Sequence, residues 1–319
     1  MEENGAVSPR WTMDYETQFR KADPDWFLDD MFVTGDADMA ILSTQVLMDF
    51  SHTGFVTADS HARLRARVPE RLISLGGVDP RDPRALEEVE RQIQDCEVQG
   101  FTWYTAEWRG PSRGWSAHDP MVFPLYEQCL ARGVKNRHVH QGPAVEPLAL
   151  AQFDGRDIDE PAWWYPELHC IIDHIGLPRL EDFCWIAARC PHVYGSLAVA
   201  LAFIHSRPRD VAEIMANRLF WLGPDRISDG TDLPMWSPHG PLDELRAFQL
   251  PEDLKQADGV DRTDEVTPKI LGGNIARRYG IDIPTTLTAV EPDEWSPRKR
   301  AYEALKPATD TGVAGTVAR

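Results

Sequence analysis

The sequence predicts an α/β fold of the (β/α)-barrel type. Short apolar runs alternate with helical segments of about 10–15 residues, a pattern typical of parallel βαβ units. Two of these runs close on a histidine and a third closes on an aspartate, as in barrels whose active site lies at the carboxyl ends of the strands. The 319 residues are 42% hydrophobic and 26% charged, which suits one large globular domain or two small ones.

Seven strands are predicted, each a short apolar run that ends near a turn residue. In chain order they cover residues 39–43, 73–80, 101–104, 135–140, 169–173, 193–198 and 226–229. A closed barrel of this type needs eight strands. We therefore expect a barrel that is one strand short.

Helices are predicted between these strands from apolar positions at helical spacing. They cover residues 83–98, 120–131, 180–189, 209–222 and 263–279, while residues 157–165 form a loop or a short helix. Gly280 follows the last of them and is the expected C-cap, because glycine readily adopts the left-handed conformation there.

Composition excludes some classes of function. With 51 acidic and 33 basic residues the formal net charge is −18, which argues against nucleic-acid binding because phosphate recognition needs a basic face. No apolar run approaches the roughly 18 residues of a membrane span. The polar residues 1–5 do not resemble a signal peptide, and the five cysteines form no CxxC pair, so reduced core thiols and a cytoplasmic location are expected.

His140, His174 and Asp232 are the candidate metal ligands. Imidazole and carboxylate are ordinary ligands of catalytic metals, and the end of a strand is where a barrel presents them to substrate. A single strand histidine is more often a hydrogen-bonded core residue. The repetition at three strand ends favours a site.

Five segments resemble the amidohydrolase superfamily, in particular the branch with aromatic-acid decarboxylase-like and lactone-hydrolase-like members. They are residues 74–80 (SLGGVDP), 138–143 (HVHQGP), 173–179 (DHIGLPR), 230–232 (GTD) and 269–280 (KILGGNIARRYG). They fall in family order and cover about residues 36–283.

The resemblance implies a distorted (β/α)8 TIM-type barrel with a metal at its carboxyl-end mouth. It assigns His140 as the fifth-strand ligand, His174 as the sixth-strand histidine and Asp232 as the eighth-strand aspartate. In such enzymes the aspartate both binds metal and takes a proton from the attacking water, so Asp232 and His174 are the expected catalytic residues. Three protein ligands predict one divalent ion, zinc or iron(II), in each chain.

The chain departs from the family at the start. Family members open with a strand whose His-x-His supplies two metal ligands, and no His-x-His occurs here before residue 138. The comparison suggests that the sequence begins just after that strand. The resemblance predicts an N-terminal segment at 1–35, a barrel at 36–283 and a C-terminal extension at 284–319, and the end of this extension is expected to be disordered.

Besides a self-sufficient metal hydrolase or decarboxylase with a reduced ligand set, three functions remain open from the sequence. The first is a subunit of a metal-dependent enzyme that hydrolyses or decarboxylates a small carboxylic acid, in a homo- or hetero-oligomer with an amidohydrolase-like paralogue. The second is a subunit of a two-component non-haem metal oxygenase, as in a relative of this fold that hydroxylates 2-aminoisobutyrate. The third is a non-catalytic partner of a full-length paralogue.

Other residues near the predicted mouth are candidates for contact with substrate. His205 and Arg207 follow the 193–198 strand, and Trp236 and His239 follow Asp232. His138 lies two residues before His140 and shares its strand face, so it is expected to support the site from beneath. His118 is expected at the surface.

Overall fold

Seven strands form the centre of the molecule in the computed structural model. The structure describes residues 23–49, 54–142, 148–236 and 239–305, together with Glu16. The strands are β1 (Ala40–Leu42), β2 (Leu72–Gly76), β3 (Gly100–Trp103), β4 (Asn136–His140), β5 (His169–Asp173), β6 (Val193–Ser196) and β7 (Ile227–Ser228). All seven predicted strands are confirmed.

The seven strands form one parallel sheet in the order β1-β2-β3-β4-β5-β6-β7. Thr102 pairs with His138 and His138 pairs with Ile171, so these side chains share one face of the sheet. The sheet curls into a half-barrel with helices outside it, consistent with the predicted distorted barrel.

Thirteen α-helices occur in the described residues. They are α1 (Pro24–Asp29), α2 (Ala58–Arg65), α3 (Ala85–Asp95), α4 (Phe123–Ala131), α5 (Asp159–Trp164), α6 (Leu180–Arg189), α7 (Pro208–Leu222), α8 (His239–Ala247), α9 (Glu252–Asp258), α10 (Val266–Pro268), α11 (Asn274–Tyr279), α12 (Ile283–Val290) and α13 (Trp295–Leu305). The predicted helix at 180–189 is α6, with the same bounds. The predicted C-cap is also confirmed, because Gly280 is left-handed with φ of 67°.

Short helical turns fill the remaining connections. The 3₁₀ turns are Leu150–Phe153, Gly155–Ile158, His174–Gly176, Ala200–Phe203 and Pro224–Arg226, and π-helical turns cover Asp30–Thr34 and Lys269–Gly273. The turn His174–Gly176 directly follows β5 and lies at the carboxyl end of the sheet.

The two faces of the sheet differ in chemistry. The outer face packs on the helices: Trp103 lies edge-on to Tyr126 of α4 at 5.2 Å between ring centroids, and Val139 and Ile172 are fully buried. Burying such side chains stabilises by about 1.5–3 kcal/mol each. The inner face carries His138 and His140 instead.

At the β1 end, helices α1 and α13 pack together. Phe32, which follows α1, lies 6.5 Å from Trp295 of α13 between ring centroids, and both are buried with Leu42 of β1. Arg71 ties this cluster to Asp293 through an ion pair. The predicted barrel and extension thus contact each other here, while the predicted disorder at the C-terminal end falls on 306–319, outside the described residues.

Within the described part of the chain, no helix is long and apolar enough to cross a membrane. The five cysteines are all buried and free, as predicted.

Candidate active site

His140 and His174 meet at the carboxyl ends of β4 and β5. Their ring centroids are 4.4 Å apart and the rings are nearly perpendicular, at 74°. In the part of the chain that the structure describes, the buried Nδ1 atoms of both rings have no hydrogen-bond partner. A buried polar atom without a partner is unfavourable, so each nitrogen is available to a ligand.

A strained turn holds His174 in place. His174, Ile175 and Gly176 are all left-handed, with φ of 58°, 55° and 74°, and the Leu177 N–H donates to the His174 carbonyl at 3.0 Å. This conformation is unfavourable for a β-branched residue such as Ile175. Such strain persists where the surrounding structure enforces it, and it clusters at functional sites.

Gly142 makes room for the His174 ring. A Cβ atom on Gly142 would lie 2.6 Å from Cβ and Cγ of His174, closer than unbonded carbon atoms approach. Only glycine therefore permits this packing without a shift.

Two aromatic rings enclose His140. The ring centroids of Tyr104 and Phe153 each lie 4.5 Å from that of His140. Burial, and next the neighbouring His174, hold the pKa of His140 well below its usual range. His140 is thus a neutral imidazole, the form that binds metals.

Asp232 completes the set that we call the upper cluster: His140, His174 and Asp232. It lies beyond the end of β7, in the left-handed region with φ of 53°. Burial raises the pKa of Asp232, and the charge of nearby His174 acts in the opposite direction. Even so, across the described ranges no group of three His, Cys, Asp or Glu side chains has a metal-binding arrangement. The structure brings the two histidines together and places Asp232 near them.

A second polar group lies on the same sheet face, nearer the amino end of β4. We call it the lower cluster: His138, Asp173 and Tyr279. His138 Nε2 is 2.9 Å from the Tyr279 hydroxyl, and His138 Nδ1 is 3.3 Å from the Asp173 carboxylate. Tyr279 reaches this face from α11. Its pKa is raised well above the ordinary value by burial and then by Asp173, so the phenol stays neutral.

A separate cavity of about 270 Å³ lies between the segments 115–119 and 151–157, and no residue of the upper cluster lines it. Trp115, Gln152 and Asp157 are among its lining residues. Asp157 accepts hydrogen bonds from the Ala117 N–H at 2.8 Å and the Gln141 side chain at 2.9 Å. Burial raises the pKa of Asp157 to about 6.

The predicted substrate contacts lie in different surroundings. His205 and Arg207 are exposed, and Arg207 forms an ion pair with Asp210 at 2.6 Å. Trp236 is buried, and within the described residues its Nε1 has no partner. His239 begins α8, and the position of its side chain lies outside the described part. His118 is exposed, as expected.

Sequence reasoning missed four residues of these clusters and their surroundings. Tyr104 directly follows β3. It could have been found by the argument that predicted the histidines, because side chains at the carboxyl ends of parallel strands lie close together. Gly142, Phe153 and Tyr279 carry no such signal, because their roles arise from contacts between distant segments.

The amidohydrolase family model matches residues 8–281. No curated protein sequence matches the chain.

Solved structures share the fold at low sequence identity. An uncharacterised TIM-barrel protein from Bordetella bronchiseptica is 17% identical, with a TM-score of 0.60 over 82% of this chain and 85% of that one. The 5-carboxyvanillate decarboxylase from Sphingomonas paucimobilis is 16% identical, with a TM-score of 0.55 over 83% of each chain. A dihydroxybenzoic acid decarboxylase from Polaromonas sp., with bound manganese and 2-nitroresorcinol, is 15% identical, with a TM-score of 0.52 over 84% of this chain and 94% of that one.

Proposed function

This chain belongs to the amidohydrolase family, and on that premise we propose that it is a metal-dependent enzyme that hydrolyses or decarboxylates a small carboxylic acid. The observation that carries the proposal is the contact between His140 and His174, whose buried Nδ1 atoms lack a partner among the described residues. The decarboxylases of similar fold, one of them with bound manganese, support the choice of reaction and of a metal.

The residues of the upper cluster fit a divalent ion in part. His140 and His174 supply two nitrogen donors, and Asp232 is the nearby carboxylate that would complete the set. Two histidines and one carboxylate with open positions suit zinc or iron(II). When bound, such an ion lowers the pKa of water and polarises substrate oxygen atoms. The third donor is the part that the described geometry does not supply.

The protein groups around the ion have separate roles in this proposal. Tyr104 and Phe153 exclude water from one side of His140. Asp232, whose pKa burial raises, is the carboxyl group in position to hold or accept a proton, as a general acid or base must. We place His205, Arg207, Trp236 and His239 at the substrate, where Arg207 would pair with a carboxylate.

A second candidate is a supporting subunit, in an oligomer that includes a related chain. The absence of a three-donor group within the described ranges favours it, as does the sheet edge at β1, which has no further strand in the described sheet. The β7 edge is covered instead, because Asn274 donates to the Ile227 carbonyl and the Asp229 N–H donates to the Ile270 carbonyl. Exposed strand edges invite pairing with another chain. A two-component oxygenase would be one such assembly.

Metal content of the purified full chain tests the proposal. After loading with manganese, zinc or iron(II) and removal of free ion, elemental analysis should find about one ion per chain. His140→Ala and His174→Ala should each lower the affinity by at least about 100-fold, since each removes a ligand. The exposed His118→Ala is the control and should bind like the original protein.

Substrate class is tested on the loaded protein with a panel of small aromatic and aliphatic carboxylates, and with relatives of them that carry a lactone or amide bond for water to cleave. Release of carbon dioxide identifies decarboxylation, and appearance of a new acid identifies hydrolysis. A chain that binds no metal, alone or with a related chain, would instead be a supporting subunit. Equal binding by the His174→Ala variant would show that the metal lies elsewhere.

A further inference from the structure

Arg218 of α7 is a fully buried cation, 0% exposed. In the described part of the chain no carboxylate forms an ion pair with it. Removing a charge from water without an opposite charge is expensive, by several kcal/mol even after relaxation. Its position therefore calls for a physical reason.

The guanidinium connects two helices with the turn after β5. Nη2 donates to the Ile175 carbonyl at 3.2 Å, and Nη1 donates to Asn217 Oδ1 and contacts Cys184 Sγ of α6, each at 2.6 Å. The Phe183 ring lies 5.0 Å from Cζ. The carbonyl thus receives a charge-assisted hydrogen bond, which is stronger than a neutral one.

That carbonyl belongs to the middle residue of the strained turn. Phe183 also packs against the turn, because a Cβ atom on Gly176 would lie 2.8 Å from Cβ of Phe183. The His174 ring is confined on the other side by Gly142. The turn is therefore held from the helix layer by Arg218 and Phe183, while His174 projects toward the mouth.

We propose that Arg218 is a positioning residue for His174: its bond to the Ile175 carbonyl fixes the left-handed turn that aims the imidazole at the ligand. The proposal rests on the proposed function in one respect, that His174 binds a metal. Among the described residues, the bonds of Arg218 go to Ile175, Cys184 and Asn217, and not to a side chain of the upper cluster. Its effect reaches the site through the backbone alone.

Arg226 provides a matched control. It lies just before β7, and its guanidinium donates to the carbonyls of Leu222 at 2.9 Å and Ala187 at 2.7 Å. It is half-buried in the same helix layer, but at the amino end of the strands, away from His174. Loss of Arg226 should thus destabilise the helices without changing the turn.

The experiment compares Arg218→Met, Arg218→Lys and Arg226→Met in the full chain. Hydrogen exchange of the metal-free proteins reports the Leu177 amide, which donates to the His174 carbonyl. Titration with cobalt(II), followed by its visible absorption spectrum, reports the ligand geometry. We expect Arg218→Met to speed exchange at Leu177 at least about tenfold and to weaken cobalt binding by about 10–100-fold, the range of outer-shell substitutions, with an altered spectrum.

Arg218→Lys should recover part of both effects, because an ammonium can still donate to the carbonyl. Arg226→Met should lower the melting temperature while leaving Leu177 exchange and the cobalt spectrum unchanged. If Arg218→Met lowers only the melting temperature, as Arg226→Met does, the proposal is wrong. If Arg218→Met does not fold, Arg218→Lys decides by the same two measurements.

The two hypotheses fail separately. An unsubstituted protein that binds no cobalt defeats the proposed metal function, and Leu177 exchange in the metal-free variants still decides the role of Arg218. Normal cobalt binding with unchanged exchange in Arg218→Met defeats the positioning role and leaves the metal function standing.

Discussion

The upper and lower clusters lie on the same face of β4 and β5, one step apart, yet they differ in how their polar atoms are satisfied. In the lower cluster, both ring nitrogens of His138 have protein partners, Tyr279 and Asp173. In the upper cluster, the Nδ1 atoms of His140 and His174 have none among the described residues. The histidine of the lower cluster therefore has a hydrogen-bond partner for each ring nitrogen, whereas the two histidines of the upper cluster each have a buried nitrogen without one in the described part of the chain.

The difference separates a structural role from a binding role. Buried polar groups are nearly always hydrogen-bonded. The lower cluster, whose hydrogen bonds are formed, can therefore be accounted for by its contribution to stability. An unsatisfied pair held by strained backbone needs another explanation, and a bound ligand supplies one. We therefore expect changes to the lower cluster to affect stability and changes to the upper cluster to affect binding.

Among changes that leave the proposed ligands in place, the largest expected effect comes from Gly142→Ala. The new methyl group would overlap the His174 side chain, so the ring must move, at a cost of about 1–3 kcal/mol in unfolding free energy. Metal affinity should fall at least about tenfold. Urea unfolding and a metal titration measure the two effects.

Gly155→Ala is the control for this substitution. A Cβ atom on Gly155 would lie 3.9 Å from the nearest described heavy atom, in Gln141, which is ordinary contact. It should leave both measurements close to those of the original protein. If Gly142→Ala binds metal normally, the ligand does not depend on the described position of His174.

Tyr279→Phe should have a smaller effect, confined to stability. It removes the hydroxyl 2.9 Å from His138 Nε2 and leaves that nitrogen without its partner, which costs about 1–3 kcal/mol. Urea unfolding should show this loss, while metal affinity stays within about threefold of the original. A large loss of affinity would break the comparison, because the lower cluster would then take part in binding.

The smallest expected effect is a pH dependence of the metal-free protein. Because the pKa of His140 is lowered from 6.5 in the folded state, the unfolded state binds more protons below about pH 6.5. Stability contributed by neutral His140 should therefore be lost as pH falls, by up to about 1.4 kcal/mol per pH unit. Urea unfolding in a chelating buffer should show a shallower slope for His140→Asn.

Asp157 should change the unfolding free energy with pH in the opposite direction, so it serves as the control. Its pKa is raised from 3.8 to about 6, so the folded state holds a proton that the unfolded state has lost. Its stabilisation is lost as pH rises through that window, and Asp157→Asn should remove this loss. A steeper acid-side loss in His140→Asn than in the original protein would show that His140 is charged in the folded state.

Much of the fold and part of the site could be predicted from the sequence. The strands are short apolar runs with turn residues beside them, and α6 carries apolar positions at helical spacing, so local pattern was sufficient. His140 and His174 follow from the same argument, because parallel strands bring their carboxyl ends to one edge. That edge is where the structure places both rings.

The rest depends on contacts that local sequence does not encode. Asp232 lies beyond β7 in a left-handed conformation, so its distance from the histidines is set by a loop and not by strand register. Tyr279 meets His138 across 141 positions of sequence. Gly142 matters only because the His174 ring occupies the space beside it.

The order of the strands has a consequence for synthesis of the protein. Each of the first six strands pairs with the strand that follows it in the chain, so a ribosome releases neighbouring strands one after the other. Domains commonly fold during synthesis from the N-terminal side. His140 and His174 are therefore synthesised before Asp232, and the third donor of the upper cluster can join the two histidines only after the last strand has been made.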